Sequence, residues 1–271
     1  MESSKNLQAE VEREVEQLIP LVTSGAKLSE TKKKVFSFLY KYSAYCFELI
    51  ERKEFKSCLY ILLKLQTLCL TVLQKSPEVE KSGLKKVASS ISEVFVQYQK
   101  EPNSVNLRIG DFFNLISKQT KQLNLGSELS ETTQYLTEVI FVLAMTLNNI
   151  GAIYKIREKI DRAVLNFMLC IEVMMAFGSH LDAFQTYSFI TAIANFTACI
   201  QNDPEKLEDI SQMIASSILF LEELETQVQA TGAKANEHYS KLAFYSQFIF
   251  VQQLIAENYT KLSDYTIVKF L

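Results

Sequence analysis

The chain has few of the residues that break regular backbone: seven glycines and four prolines in 271 residues. A fold of strands and tight turns needs many more of both, since sharp reversals draw on glycine's positive φ or proline's fixed φ. Tryptophan is absent, and there are two histidines, His180 and His238. They stand at different helix starts with no Cys or carboxylate at ligand spacing. Neither Cys-x-x-Cys, His-Glu-x-x-His nor a phosphate-cradling glycine loop occurs. No metal and no cofactor is therefore expected. The glycine-strained loops that often carry catalysis are scarce too, so an enzyme is not the expected class.

A strong charge of one sign is also missing. The formal net charge is -3. Residues 1–135 carry 19 Lys/Arg and 16 Asp/Glu (+3), and residues 136–271 carry 9 and 15 (-6). Lys32-Lys33-Lys34 and Lys85-Lys86 are short and lie beside Glu30, Glu80 and Glu93, too little for a nucleic-acid stripe. Glu205, Glu208, Asp209, Glu222, Glu223 and Glu225 read as the acidic counterpart, a solvated helix surface. Met1 to Gln17 is polar throughout, so no signal peptide is expected. The longest uncharged run, Ala183 to Asn202, is interrupted by Gln185, Thr186, Ser188, Thr191, Asn195, Thr197 and Gln201. No membrane span is expected there. Five cysteines (Cys46, Cys58, Cys69, Cys170 and Cys199) sit among apolar neighbours and read as core thiols of a reducing compartment. The expected location is intracellular and cytoplasmic.

Leu, Ile, Ala, Gln, Glu and Lys are plentiful, and hydrophobic residues make up 48% of the chain. Abundant helix formers with few breakers predict an all-α protein. Between Ala163 and Gln201 the charged side chains are Glu172 and Asp182 alone. Such a stretch is either the buried middle of a helical stack or a surface covered by a partner.

Helical periodicity divides the chain into six parts. An N-terminal helix occupies about 1–28, with Leu7, Val11, Val15, Leu18 and Leu21 on one stripe. A helical pair follows over 29–76, opened by Ser29 as a cap and broken at Glu51-Arg52-Lys53-Glu54. Ser76-Pro77 starts another pair over 77–126, with helices at 78–100 and 105–123, and Asn124-Leu125-Gly126-Ser127 closes it. The pair at 127–178 contains a long helix from about 129 to 156 and a shorter one to 177. A further pair covers 179–231, its second helix opened by Asp203-Pro204, and a capping helix fills 232–271. About ten helices in one domain are predicted.

The fourth part is the most regular. Leu147, Ile150, Gly151 and Tyr154 share one helix face. After the charged turn Lys155 to Arg162, the spacing resumes with Ala163, Phe167 and Cys170. Gly151 and Ala163 let two backbones approach closely, while Tyr154 and Phe167 fill the space beside them. A second copy lies at a constant offset of 105 residues. Tyr42, Tyr45, Cys46 and Leu49 fall where Leu147, Ile150, Gly151 and Tyr154 fall, and Cys58, Leu62 and Leu65 where Ala163, Phe167 and Cys170 do.

This spacing resembles the tetratricopeptide repeat, a helix–turn–helix unit of about 34 residues. The resemblance covers about 145–175, is degenerate over 40–70, and is architectural elsewhere. It implies antiparallel hairpins stacked as an α-solenoid whose first helices line a concave wall that receives protein segments. The groove-facing positions of the family then fall on Asn148, Ala152 and Lys155. Asn148 and Lys155 can hydrogen-bond a peptide, whereas Ala152 departs from the second asparagine of the members that clamp a carboxylate. Phe184 and Tyr187, on the low-charge shoulder, complete the candidate partner-binding residues.

The expected function is a non-enzymatic scaffold whose partners are other proteins. It would be a structural subunit of a larger intracellular assembly, or an adaptor capturing a short segment in its groove. The apolar content and the 163–201 shoulder favour the subunit.

Overall fold

A computed structural model describes residues 2–24, 27–81, 84–100, 130–177 and 183–200. Among these residues 92% are helical and none is in a strand, so the fold is all-α there. Eight helices are present among them: α1 (Glu2–Thr23), α2 (Leu28–Glu51), α3 (Phe55–Lys75), α4 (Pro77–Lys81), α5 (Lys85–Lys100), α6 (Glu131–Ile156), α7 (Ile160–Phe177) and α8 (Ala183–Ile200). The expected helices at 105–123 and beyond 201 lie outside the described residues.

Local chemistry sets most of the boundaries. Ser130 caps α6, its hydroxyl accepting the Thr133 N–H at 3.2 Å. Ser29 does not cap α2. Lys27 takes that place without a side-chain bond, and its carbonyl accepts the N–H groups of Glu30 and Thr31. The single helix expected over 78–100 is instead α4 followed by α5. Ser82-Gly83 falls at the break, and both are weak helix formers. Pro20 sits inside α1, three residues before its last residue, Thr23. It removes one backbone donor near the terminus, where the helix still closes through the Ser24 N–H to the Pro20 carbonyl at 2.9 Å.

The chain divides into two compact units, one of residues 1–105 and 128–177, the other of 106–127 and 178–271. In the first unit α3 is the innermost helix. It packs against α1, α2, α5 and α6, and its buried face includes Cys58, Ile61, Leu62, Leu65, Leu68, Cys69 and Val72. The helix α6 packs directly on α3 and on its own partner α7. The hairpins α2–α3 and α6–α7 are thus immediate neighbours in space, although α4, α5 and residues 101–129 separate them along the chain. The helix α5 leans on α3 and α7.

Because α3 and α6 are buried on several sides, their sequences are apolar nearly all round. Both are long and apolar enough to cross a membrane by length and composition, and more than half of each apolar window is buried inside the protein. Phe167 to Met174 of α7 are likewise all buried by the chain itself. These eight residues of the low-charge stretch are therefore already covered without an outside partner. In the second unit α8 buries Ala192, Ile193, Ala194, Phe196 and Thr197.

Candidate functional site

The two hairpins of the first unit turn in the same way. In α2–α3 the N–H groups of Arg52, Lys53 and Glu54 donate to the carbonyls of Glu48, Ile50 and Leu49 at 3.0, 3.0 and 2.8 Å. In α6–α7 those of Arg157, Glu158 and Lys159 donate to Ile153, Lys155 and Tyr154 at 3.1, 2.9 and 2.9 Å. Every donor and acceptor is displaced by the same 105 residues. Lys53 and Glu158 each hold a positive φ, 59° and 56°. The bond from the second residue past the cap to the carbonyl five back, with a left-handed residue between, is the Schellman arrangement. The following helix then opens with matching bonds, Cys58 N–H to Glu54 and Ala163 N–H to Lys159.

Both hairpins cross where the side chains are small. A Cβ added to Gly151 would lie 2.7 Å from Phe167 Cε1 and 2.8 Å from Cδ1, inside van der Waals contact. Leu147, Ile150, Ala163, Phe167 and Cys170 are buried around this crossing, while Tyr154 is half-buried with the Arg162 guanidinium 5.7 Å from its ring centroid. Burial pushes the Cys170 thiol up, opposed by a hydrogen bond with the Asn148 backbone. In the first hairpin Cys46 and Cys58 occupy the positions of Gly151 and Ala163, and the Cys58 thiol donates to the Cys46 carbonyl at 3.6 Å.

The first helices of the two hairpins lie side by side. Lys32 faces Glu131 at 3.9 Å, Phe36 stacks tilted against Tyr135 with centroids 5.4 Å apart, and the Tyr40 hydroxyl donates to Glu138 at 3.0 Å. Residue numbers rise together along both helices, so α2 and α6 run parallel. Asn148, Ala152 and Lys155 lie further along α6 and are half-buried. The side chains of Phe184 and Tyr187 lie outside the described residues, and their backbone belongs to α8 of the other unit.

Helix α1 flanks the first hairpin, against α2 and α3, through contacts that the sequence reading did not anticipate. Val11, Val15, Leu18 and Val22 form its buried stripe, with acids on both borders. On one border Lys41 binds Glu10 and Glu14 at 2.9 and 2.8 Å, and the Tyr42 hydroxyl donates to Glu14 at 3.1 Å. On the other, Glu12 accepts from Lys64 at 2.7 Å and from Tyr60 at 3.1 Å. Hydrogen bonds from Lys41 and Lys64 hold the Glu10 and Glu12 carboxyls below their usual range. Burial pushes the Tyr42 hydroxyl up to about 12. The Glu10-Glu12-Glu14 alternation astride the apolar stripe was the available signal. Only the folded chain brings Lys41 and Lys64 to it.

Beside the Lys41 clamp the α1–α2 seam opens into a cavity of about 840 Å³. Leu18 and Phe38 lie among its lining residues, as do Arg13 and Lys33. On the far side of the clamp is another of about 500 Å³, bordered by Leu7 and Tyr45. Large exposed apolar side chains include Tyr40, Leu63, Ile156 and Ile160. Ile156, 57% exposed, and Ile160 bracket the second hairpin's turn, where the first hairpin has Glu51 and Phe55.

Among the described residues no group of three or more His, Cys, Asp or Glu side chains is placed to hold a metal ion. Compared with known proteins, the chain matches no family model, no curated protein and no solved structure.

Proposed function

We propose that this chain is a non-enzymatic protein-interaction scaffold of tetratricopeptide-like hairpins, a structural subunit of a larger intracellular assembly. The observation that carries the reading is the duplicated hairpin: two turns with matching hydrogen bonds at one offset, whose hairpins pack directly on each other through α3 and α6. Repeated hairpins that bury their inner faces on one another leave their turn tips and outer faces as surface, and such surfaces serve recognition. Exposed Tyr40, Leu63, Ile156 and Ile160 give that surface apolar anchors, which support the subunit over a freely diffusing protein.

The adaptor reading has one observation of its own, the cavity along the α1–α2 seam, lined by Leu18, Leu21 and Phe38 together with charged side chains of both signs. Native affinity purification of the tagged full chain with light scattering separates the two. A subunit emerges with stoichiometric companions, and alone it self-associates. A lone, stable monomer at full recovery overturns the subunit reading in favour of the adaptor.

A further inference from the structure

Cys46 and Cys58 meet across the α2–α3 hairpin. The corresponding positions of the second hairpin are Gly151 and Ala163, chosen there for their size. In the first hairpin that space holds two thiols, both at most 1% exposed, with the Cys58 sulfur 3.6 Å from the Cys46 carbonyl oxygen. That contact sets the Cys58 sulfur directly against the Cys46 backbone across the two helices. A sulfur that touches the backbone of a second cysteine comes within reach of that cysteine's own sulfur by side-chain rotation, provided the two backbones are close, as small-residue crossings are.

We propose that Cys46 and Cys58 form an intrachain modification site, closed to a disulfide by a small disulfide oxidant and reopened by its thiol. In the first step the Cys58 thiolate attacks one sulfur of the oxidant, forming a mixed disulfide and releasing one thiolate. In the second step the Cys46 thiolate attacks the Cys58 sulfur, forms the Cys46–Cys58 bond and releases the second thiolate. The two cysteines lose two electrons and two protons, and the oxidant leaves as two thiols. Burial holds the Cys46 thiol up. Burial makes the exchange run through local opening of the hairpin, so it is slow and leaves the closed hairpin fastened across its two helices.

The test treats the native full chain with oxidised glutathione, followed by acid quench, alkylation in denaturant and peptide mapping. The expected product is a Cys46–Cys58 crosslinked peptide, with two of the five thiols lost. The melting temperature rises by about 5–10 °C, which dithiothreitol reverses. Cys46→Ala and Cys58→Ala place the small residue type of the second hairpin at each position. Each variant keeps its helical circular dichroism, retains all its remaining thiols under oxidation and shows no rise in melting temperature. Retention of all five thiols by the native wild-type chain overturns the proposal. So do crosslinks that involve Cys69 or Cys170, or that form only when denaturant precedes the oxidant.

Discussion

Replacing Gly151 tests whether the second hairpin is held together where its backbones cross. A glycine inside an exposed helix is a liability, and Gly→Ala there stabilises by about 1 kcal/mol. At Gly151 the new Cβ falls 2.7 Å from Phe167 Cε1, so the ring has to retreat by roughly 0.7 Å to reach ordinary contact at 3.4 Å. Phe167 is fully buried and its ring is rigid, so the retreat displaces its neighbours. Overpacking costs about 1–3 kcal/mol, which offsets or exceeds the propensity gain for alanine. For Gly151→Leu no such gain rescues the clash, and destabilisation of about 2–4 kcal/mol is expected. Urea melts followed by circular dichroism measure both variants. Phe167→Leu in the Gly151→Ala background relieves the contact, so the double variant is less destabilised than the sum of the singles by about 1 kcal/mol or more. A Gly151→Ala protein that is more stable than wild type by about 1 kcal/mol, with additive Phe167→Leu, refutes the close crossing.

Three further outcomes are expected. Lys53 and Glu158 sit at positive φ, so Lys53→Gly and Glu158→Gly should each stabilise by about 0.5–1 kcal/mol, and equal gains in the two hairpins are the signature of equivalent turns. The Tyr135 hydroxyl is buried with no hydrogen-bond partner among the described residues, so Tyr135→Phe should leave chemical stability unchanged or raise it by about 1 kcal/mol; a clear loss would reveal a partner. Glu10 and Glu12 have carboxyls lowered by Lys41 and Lys64, so their contribution is complete above the ordinary value of 4.5 and drains away as pH falls below it. Hydrogen-exchange protection factors in α1, taken relative to the intrinsic rate at each pH, should therefore fall between pH 5 and pH 3, and Glu10→Gln with Glu12→Gln should remove most of that fall.

The helices were largely legible because periodicity and capping are local. Phe55 to Lys75 has its apolar residues at helical spacing, a charged break before it and Ser76-Pro77 after it, and α3 spans those residues. The start expected at about 129 falls close to that of α6, which Ser130 caps. Ser29 misled because a serine before a helix has a competitor one or two residues away, and the cap is decided by the path of the chain entering α2. The break between α4 and α5 was obscured because Val79, Val87, Ile91 and Phe95 keep an apolar rhythm across Ser82-Gly83. In the candidate site, the small residues Gly151 and Ala163 were readable from spacing. The clamps of α1 were not, since Glu12 and Lys64 are 52 residues apart.

The sequence by itself determined the helical character of the described residues and a twice-written hairpin. Helix propensity, turn chemistry and the 105-residue offset are properties of the order of residues. Only the tertiary structure decided that α6 rests directly on α3, that Lys41 and Lys64 grip opposite borders of α1, and that two thiols share the space glycine and alanine occupy in the other copy. Those are choices of which apolar face covers which, and burial is satisfied by any partner of the right shape. The pattern of a face says that it must be covered, and only packing says by what.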